Sequence, residues 1–373
     1  MNHVKFISYS DIHYDMLGAK CVTVQDSEEV ERAIFKRAKE GKFDFTLFCG
    51  DRFLAREPKD EVKVAADKVI YDCVHNGNIP HLVLVGNHDQ TTLTRKHHTS
   101  ESLKFFNNVV IMDESKTYEA VPDVFIHALP AEYELDFKNY NLGKRDKLNI
   151  FTFHDTVKGS WLDDEGKMSI NSGLSLDDLD REDLDLILAG DIHVRQQFKL
   201  SKTGGGYLGS VTQRTRADSN IPRGWTEITA TRKNTKSPWV FDIKFVPTKN
   251  LFTRISFGVD KNTEFADLVF DEKDVVNQFV EVKLVGNKSN VDRVADDPGW
   301  KKFHKTLKPR RVEVLRSYET EQSNVVVDLS TSTGVLDDLS LYLDSKFASL
   351  GNLKADKVAD VVRRLKRQEG PIQ

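Results

Sequence analysis

The chain predicts an α/β fold, and two observations carry that reading. Over its first half, short β-branched or aromatic runs alternate with stretches whose apolar residues recur at helical spacing. Such a β-α-β order implies mostly parallel strands layered by helices. Five of the strand candidates also end on a short polar signature rich in Asp, Asn, His and Gly. Open α/β sheets collect their ligands at that edge.

The elements follow in order. Residues 3–10 (HVKFISYS) read as a buried strand, and 27–40 as a helix with Val30, Ala33, Ile34 and Ala38 on one stripe. Asp26 and Glu29, three apart, resemble a capping box at its start. Strands are expected at 44–49, 80–85, 109–113, 124–128, 149–153 and 184–189, with a helix at 61–76. Later strands at 206–211, 225–229 and 238–246 are separated by turn-rich stretches such as Thr203-Gly204-Gly205-Gly206. From about 249 the texture changes. Alternating runs at 251–257, 278–285, 311–316 and 324–328 carry few helix signals and suggest a smaller β-containing domain. The tail returns to helix. Leu336, Leu339, Leu343, Phe347 and Leu350 form one apolar stripe, and Val358, Val361, Val362 and Leu365 a second beyond Gly351.

Composition sets the bounds. At 373 residues, two or three domains are expected, with a core that folds without staples. Hydrophobic residues at 39% and charged residues at 30% describe a soluble globular protein. No run approaches the ~18 apolar residues of a membrane span, and no secretory signal opens the chain. Cys21, Cys49 and Cys73 form neither a disulfide framework nor a zinc motif, which points to a reducing, cytoplasmic setting. With 54 Lys+Arg against 58 Asp+Glu, the formal charge of −4 gives no global argument for nucleic-acid binding.

The five signatures are Asp11-Ile12-His13, Gly50-Asp51, Gly86-Asn87-His88-Asp89, His154-Asp155 and Gly190-Asp191-Ile192-His193. Any one of them alone is an ordinary turn. Their order, each at a strand end, is the signal. Glycine before Asp51, Asn87 and Asp191 is expected to let each strand turn sharply. Asp11 and His13, two apart on an extended segment, can share one side. Carboxylates, an amide oxygen and imidazoles without a thiolate suit a pair of hard or borderline divalent ions such as Mn²⁺. A central carboxylate such as Asp51 can bridge two ions about 3.5–4 Å apart. His75, His81, His97, His98 and His304 lack a partner pattern and read as surface or packing residues.

This ordered set resembles the calcineurin-like metallophosphoesterase superfamily. Within it, the chain is most similar to SbcD-type nuclease subunits of DNA double-strand-break repair, including their bacteriophage recombination-endonuclease relatives. The narrowing details are Gln196 after the Gly190–His193 motif, Tyr207-Leu208-Gly209-Ser210, and Arg223-Gly224-Trp225. The resemblance implies a four-layer α-β-β-α sandwich over 1–248, a small α+β capping and DNA-binding domain over 249–330, and a helical tail over 331–373. It implies that one ion takes Asp11, His13, Asp51 and His193. A second would share Asp51 and add Asn87, His154 and Asp191. His88 would stabilise or protonate the leaving oxygen. Mn²⁺ is the expected ion, with Mg²⁺ as the other candidate.

Two positions depart from the family pattern. Asp191 stands where a histidine is common, which implies either a live site with shifted metal preference or a weakened second metal. Leu54 stands where a polar side chain often orients the catalytic histidine, and Asp89 is the candidate substitute. DNA as substrate rests on the resemblance and on Lys301, Lys302, Lys305, Lys308, Arg310 and Arg311, a basic run without an acid. An ordinary solvated face reads equally well from that run. By resemblance, residues 335–367 dock on the coiled-coil base of an SbcC-type SMC-like ATPase, and the chain forms a homodimer with no membrane partner. Two rival readings stand beside the nuclease. One is a calcineurin-like phosphatase or small-molecule phosphodiesterase, and the other a scaffold for the ATPase with a degenerate metal site.

Overall fold

The computed structural model describes residues 2–15, 22–75, 77–91, 97–142, 146–162, 168–215 and 218–319. The expected strand at 324–328, the tail helices, Cys21 and the whole 331–373 unit lie outside the described residues. Strand β1 (His3–Tyr9) alternates by face, as period-two geometry requires. Val4 and Phe6 turn toward the middle of the molecule, while Ile7 and Tyr9 turn toward the helices. Helix α1 (Val24–Glu40) follows. Its capping box is Thr23 with Asp26, one turn earlier than the expected Asp26 and Glu29 pair. Then come β2 (Phe45–Phe48), α2 (Asp60–Ile70), β3 (His81–Leu84) and β4 (Val109–Met112). A wider helical turn, Tyr71–His75, extends α2 toward the length expected for it.

The second half of the sandwich holds β5 (Lys116–Val121), β6 (Val124–Leu129), β7 (Leu148–His154), the short α3 (Leu176–Leu179) and β8 (Leu186–Gly190). After them come β9 (Gln196–Gln197), β10 (Gly204–Tyr207), β11 (Gly224–Thr231) and β12 (Val240–Pro247). Two six-stranded sheets result, in the orders β12-β11-β1-β2-β3-β4 and β5-β6-β7-β8-β10-β9. Within them β1 to β4 run parallel, as do β6, β7, β8 and β10.

One buried cluster fills the space between the sheets, with Phe6, Phe45, Leu47, Leu82 and Leu84 meeting Val124, Ile126, Leu148, Ile150 and Leu188. A second joins the outer face of the first sheet to α1 and α2 through Ile34, Phe35, Ala66, Val69 and Ile70. A third covers the outer face of the other sheet with α3 and loops. The α/β sandwich expected from the sequence is therefore the observed fold. Among the described residues, no helix is long and apolar enough to cross a membrane.

A separate three-stranded parallel sheet is built from β13 (Phe252–Val259), β14 (Phe279–Gly286) and β15 (Arg311–Tyr318). Helices α4 (Lys288–Ala295) and α5 (Gly299–Leu307) cross between β14 and β15, as parallel pairing demands. The residues here carry few helix signals, although the resemblance implies an α+β unit. The helices' Val291, Val294 and Phe303 pack on Val280, Val282 and Leu284. Several contacts tie this unit back to the sandwich. Arg310 forks onto Asp26 of α1 at 2.5 and 2.6 Å. The buried Gln213 side chain accepts from the amides of Leu251 and Phe252 at 2.6 and 2.8 Å.

Candidate metal centre

Because β1, β2 and β3 in one sheet and β7 and β8 in the other are all parallel members, their carboxyl ends meet at one edge. All eight sequence-predicted residues of the centre arrive there. Asp11 and His13 follow β1, Asp51 follows β2, Asn87 and His88 follow β3, His154 ends β7, and Asp191 and His193 follow β8. The backbone reaches this edge differently from the expected extended segment. Asp11, His13, Asp51 and Asp191 adopt φ values of 55, 49, 61 and 88°, in the left-handed region. Non-glycine residues held there are strained, and such strain clusters at functional sites.

Three sets of side chains can each gather ligand atoms within 4.8 Å: Asp11, His13 and His193; His13, Asp51 and His88; and Asp11, Asp51 and His154. The Nε2 atoms of His13 and His193 face each other at 3.0 Å. Asp51 Oδ2 lies 3.6 Å from His13 Nε2, and Asp51 Oδ1 lies 3.2 Å from His154 Nε2, so this carboxylate bridges both sides of the cluster. Asn87 Oδ1 is 3.1 Å from His154 Nε2 and Asp191 Oδ1 is 3.9 Å from it. The far ring nitrogens are anchored on backbone. His154 Nδ1 donates to Cys49 O at 2.7 Å and His13 Nδ1 to Phe53 O at 3.3 Å. Those donations point each Nε2 toward the cluster.

The electrostatics fit a cation. Burial pushes the Asp11 carboxyl up to about 7, with Asp51 and Asp191 adding to the shift and His154 opposing it. Burial lowers His13 to about 3 and His193 to about 4, which leaves both rings neutral. Burial also disfavours charge on His154 and Asp51, but their mutual attraction outweighs it. His154 is held well above its ordinary value and Asp51 below the carboxylate range. Asp11 Oδ2 is buried without a hydrogen-bond partner. Opposed imidazole lone pairs and an orphaned carboxylate oxygen are costly unless a positive centre lies among them. The donors are oxygen and imidazole. The nearby Cys49 thiol, pushed up to about 12 by burial, instead accepts from Thr152 at 3.2 Å. The set fits divalent ions that accept oxygen and imidazole donors together.

His88 is held by a group the sequence reading did not name. Its Nδ1 donates to the backbone carbonyl of Leu54 at 2.5 Å, so the polar side chain expected near position 54 is replaced by main chain. Asp89 does not reach His88 as the candidate substitute. Its carboxylate accepts the amides of Asp51, Arg52 and Gly86 at 3.1, 2.9 and 3.0 Å and so folds the ligand loops together. The Gly before Asn87 and the Asp after His88 were the only sequence signals for that role. Carbonyls such as Leu54 O and Phe53 O leave none, because every residue carries one.

The basic run divides. Lys301, Lys302 and Lys305 are exposed on α5, and Lys308 is exposed at its left-handed cap. Arg310 is committed to Asp26, and Arg311 lies 3.5 Å from Glu313. Near the metal edge, Arg214 donates to the carbonyl of Ile12 between two ligands.

The chain matches the calcineurin-like phosphoesterase family over residues 4–195, a span that contains every residue of the centre. The chain belongs to the calcineurin-like phosphoesterases. No curated protein matches it by sequence. Solved structures similar to this calcineurin-like chain include a dimetal phosphatase from Danio rerio, with 10% identity, TM-score 0.41, and coverage of 65% of this chain and 99% of that one. A putative 5'-nucleotidase from Staphylococcus aureus shares 14% identity at TM-score 0.42, covering 73% of this chain and 56% of that one. The protein TT1561 of Thermus thermophilus shares 10% identity at TM-score 0.38, covering 65% of this chain and 98% of that one.

Proposed function

We propose that this phosphoesterase hydrolyses phosphodiester bonds in DNA, as an SbcD-type nuclease subunit holding two divalent ions. The observation that carries hydrolysis is the convergence of eight suitable side chains from five strand ends on one edge. Asp11, His13, Asp51 and His193 would hold one ion, and Asp51, Asn87, His154 and Asp191 the other. When bound, such a pair supplies Lewis acidity toward the phosphoryl oxygens and lowers the pKa of water. His88, with Nδ1 committed to Leu54 O, has Nε2 left to hold a proton for the leaving oxygen. General acid catalysis of that kind is worth about 10²–10⁴-fold.

What supports DNA is the exposed lysine face of α5 and Lys308, carried on the unit that follows the sandwich. That unit would act as the cap over 249–330, and residues 331–373 would dock on an SbcC-type SMC-like ATPase in a homodimeric assembly. Mn²⁺-dependent digestion of end-labelled duplex DNA, with and without that ATPase, tests the reading. Full activity in EDTA or in His88→Ala would sink it. Release of phosphate from a phosphoprotein, with linear DNA left intact, would transfer the same centre to the phosphatase reading.

A further inference from the structure

We propose that Arg52 is a positioning residue, a buried clamp that aims His88 and His13 through the backbone next to it. Arg52 is 1% exposed and is the largest fully buried side chain of the described residues. Its Nη1 donates to Asp67 Oδ1 of α2 at 2.7 Å, and its guanidinium carbon lies 5.1 Å from the Phe53 ring centre. The same buried region holds Glu31 of α1, whose carboxylate accepts the hydroxyls of Tyr9 and Tyr14 at 2.8 and 2.7 Å. The attraction of Asp67 and Glu31 holds the guanidinium charged against its burial.

Two straps meet above this anchor, 11–14 and 51–54, and they are zipped together. His13 N donates to Asp51 O at 3.1 Å, Tyr14 N to Arg52 O at 2.8 Å, and Leu54 N to Tyr14 O at 3.2 Å. The strap 51–54 carries the bridging carboxylate of Asp51 and both carbonyls that receive the histidines, Phe53 O for His13 and Leu54 O for His88. Arg52 is the residue of that strap whose side chain reaches back between α1 and α2. Tyr14 does the same for the other strap.

The chemistry of the clamp argues for direction over stability. Arg52 Nε and Nη2 are buried without hydrogen-bond partners. A buried ion cluster with unfilled donors is a poor way to stabilise a core, where an apolar side chain of similar volume serves as well. A guanidinium fixed by a carboxylate on a separate helix is a good way to hold a backbone in one place. Here it fixes the strap whose Leu54 carbonyl takes the place of the absent polar side chain.

The kinetic arm of this inference rests on the hydrolase reading, so the test has an arm that does not. In metal-free protein, the His88 Nδ1 proton is read by imidazole ¹H–¹⁵N NMR, assigned with His88→Ala. Arg52→Met is expected to fold, to lose that protected proton, and to lower kcat about 10- to 100-fold, the scale of a small misplacement. KM is expected to stay within about twofold, because ground-state binding is untouched. Arg52→Lys, which keeps charge without the planar fork, should fall between, and added guanidinium ion should restore part of kcat in a smaller Arg52→Ala site. An unchanged His88 proton in folded Arg52→Met overturns the clamp, whatever kcat does. If that variant fails to fold, Asp67→Asn reads the same proton and decides. A wild type inactive on every phosphodiester overturns the hydrolase reading alone, and the NMR arm still decides the clamp.

Discussion

Gly50, Gly86 and Gly190 each precede a residue of the centre, and only the first serves by its backbone angle. Gly50 has φ +100°, and a Cβ there would lie 2.2 Å from His154 Nδ1. At Gly86 and Gly190 the need is closeness, since a Cβ would lie 2.2 Å from Asp51 Oδ1 and 2.2 Å from Cys49 O respectively. Gly190→Ala must therefore push the end of β8 away from β2, carrying Asp191 and His193 with it. Calorimetry with Mn²⁺ should show affinity reduced about 10- to 100-fold, the scale of a disturbed supporting shell, while Gly204→Ala, with nothing within 4 Å, leaves it unchanged. A second residue-scale prediction concerns His81, read from the sequence as a surface or packing residue and found buried against Thr46 Oγ1 at 2.9 Å. Burial, then the nearby Arg52 charge, lowers its pKa from 6.5 to about 3. Between those values the unfolded chain binds a proton that the folded chain refuses. Stability from this residue is thus complete above pH 6.5 and falls as pH drops, by at most about 1.4 kcal/mol per pH unit. Denaturant unfolding at pH 7 and pH 5 should show a smaller acid loss in His81→Phe than in wild type. An equal loss would refute the assignment.

At the scale of elements, legibility follows how much of a segment is buried. Strands β1, β2, β3, β7 and β8 are buried over nearly their whole length, so their apolar runs were plain. Edge strand β5 (KTYEAV) is mostly part-exposed and carries no comparable run. Helices α4 and α5 are short and bury few residues each, which left them hidden among alternating strands. The ligands of the centre were legible because chemistry restricts residue type. Their left-handed backbone was not, because Asp and His announce no φ. Arg310 shows the limit of charge counting: it sits in a basic run, yet its guanidinium belongs to the joint between β15 and α1. That division of labour is testable. On the proposed nuclease reading, Lys301→Glu, Lys302→Glu and Lys305→Glu together should weaken duplex binding and flatten its salt dependence by about three counterions. Arg310→Ala should leave the salt slope unchanged and lower the unfolding temperature, because it leaves the buried Asp26 carboxylate without its guanidinium. Fluorescence anisotropy over a salt series separates the two. A slope altered by Arg310→Ala but not by the triple variant would reverse the assignment.

For the molecule as a whole, the centre is the place where loops from the two sheets bring carboxylates and imidazoles together at one edge. Asp11 and Asp51 belong to one sheet's loops, His154 and Asp191 to the other's, and the protons on Asp11 and His154 partly balance the cluster. Two divalent ions would bring the formal charge from −4 to zero and place that relief at the edge a phosphate approaches. Cation binding must then do three things together. It stabilises the fold by RT ln(1 + [L]/Kd), about 2.7 kcal/mol at a hundredfold excess over Kd. It releases protons, more at pH 6 than at pH 9, because the Asp11 carboxyl, pushed up to about 7, must give its proton up. And it depends most on the residue that reaches both sides. Scanning calorimetry over a Mn²⁺ series should show an unfolding temperature that climbs with concentration in wild type. The climb should be nearly abolished in Asp51→Asn and only reduced in Asp191→Asn, which removes one oxygen from one side. If Asp191→Asn abolishes it as fully as Asp51→Asn, the two ions bind as one unit and the aspartate that stands where a histidine is common is indispensable to both.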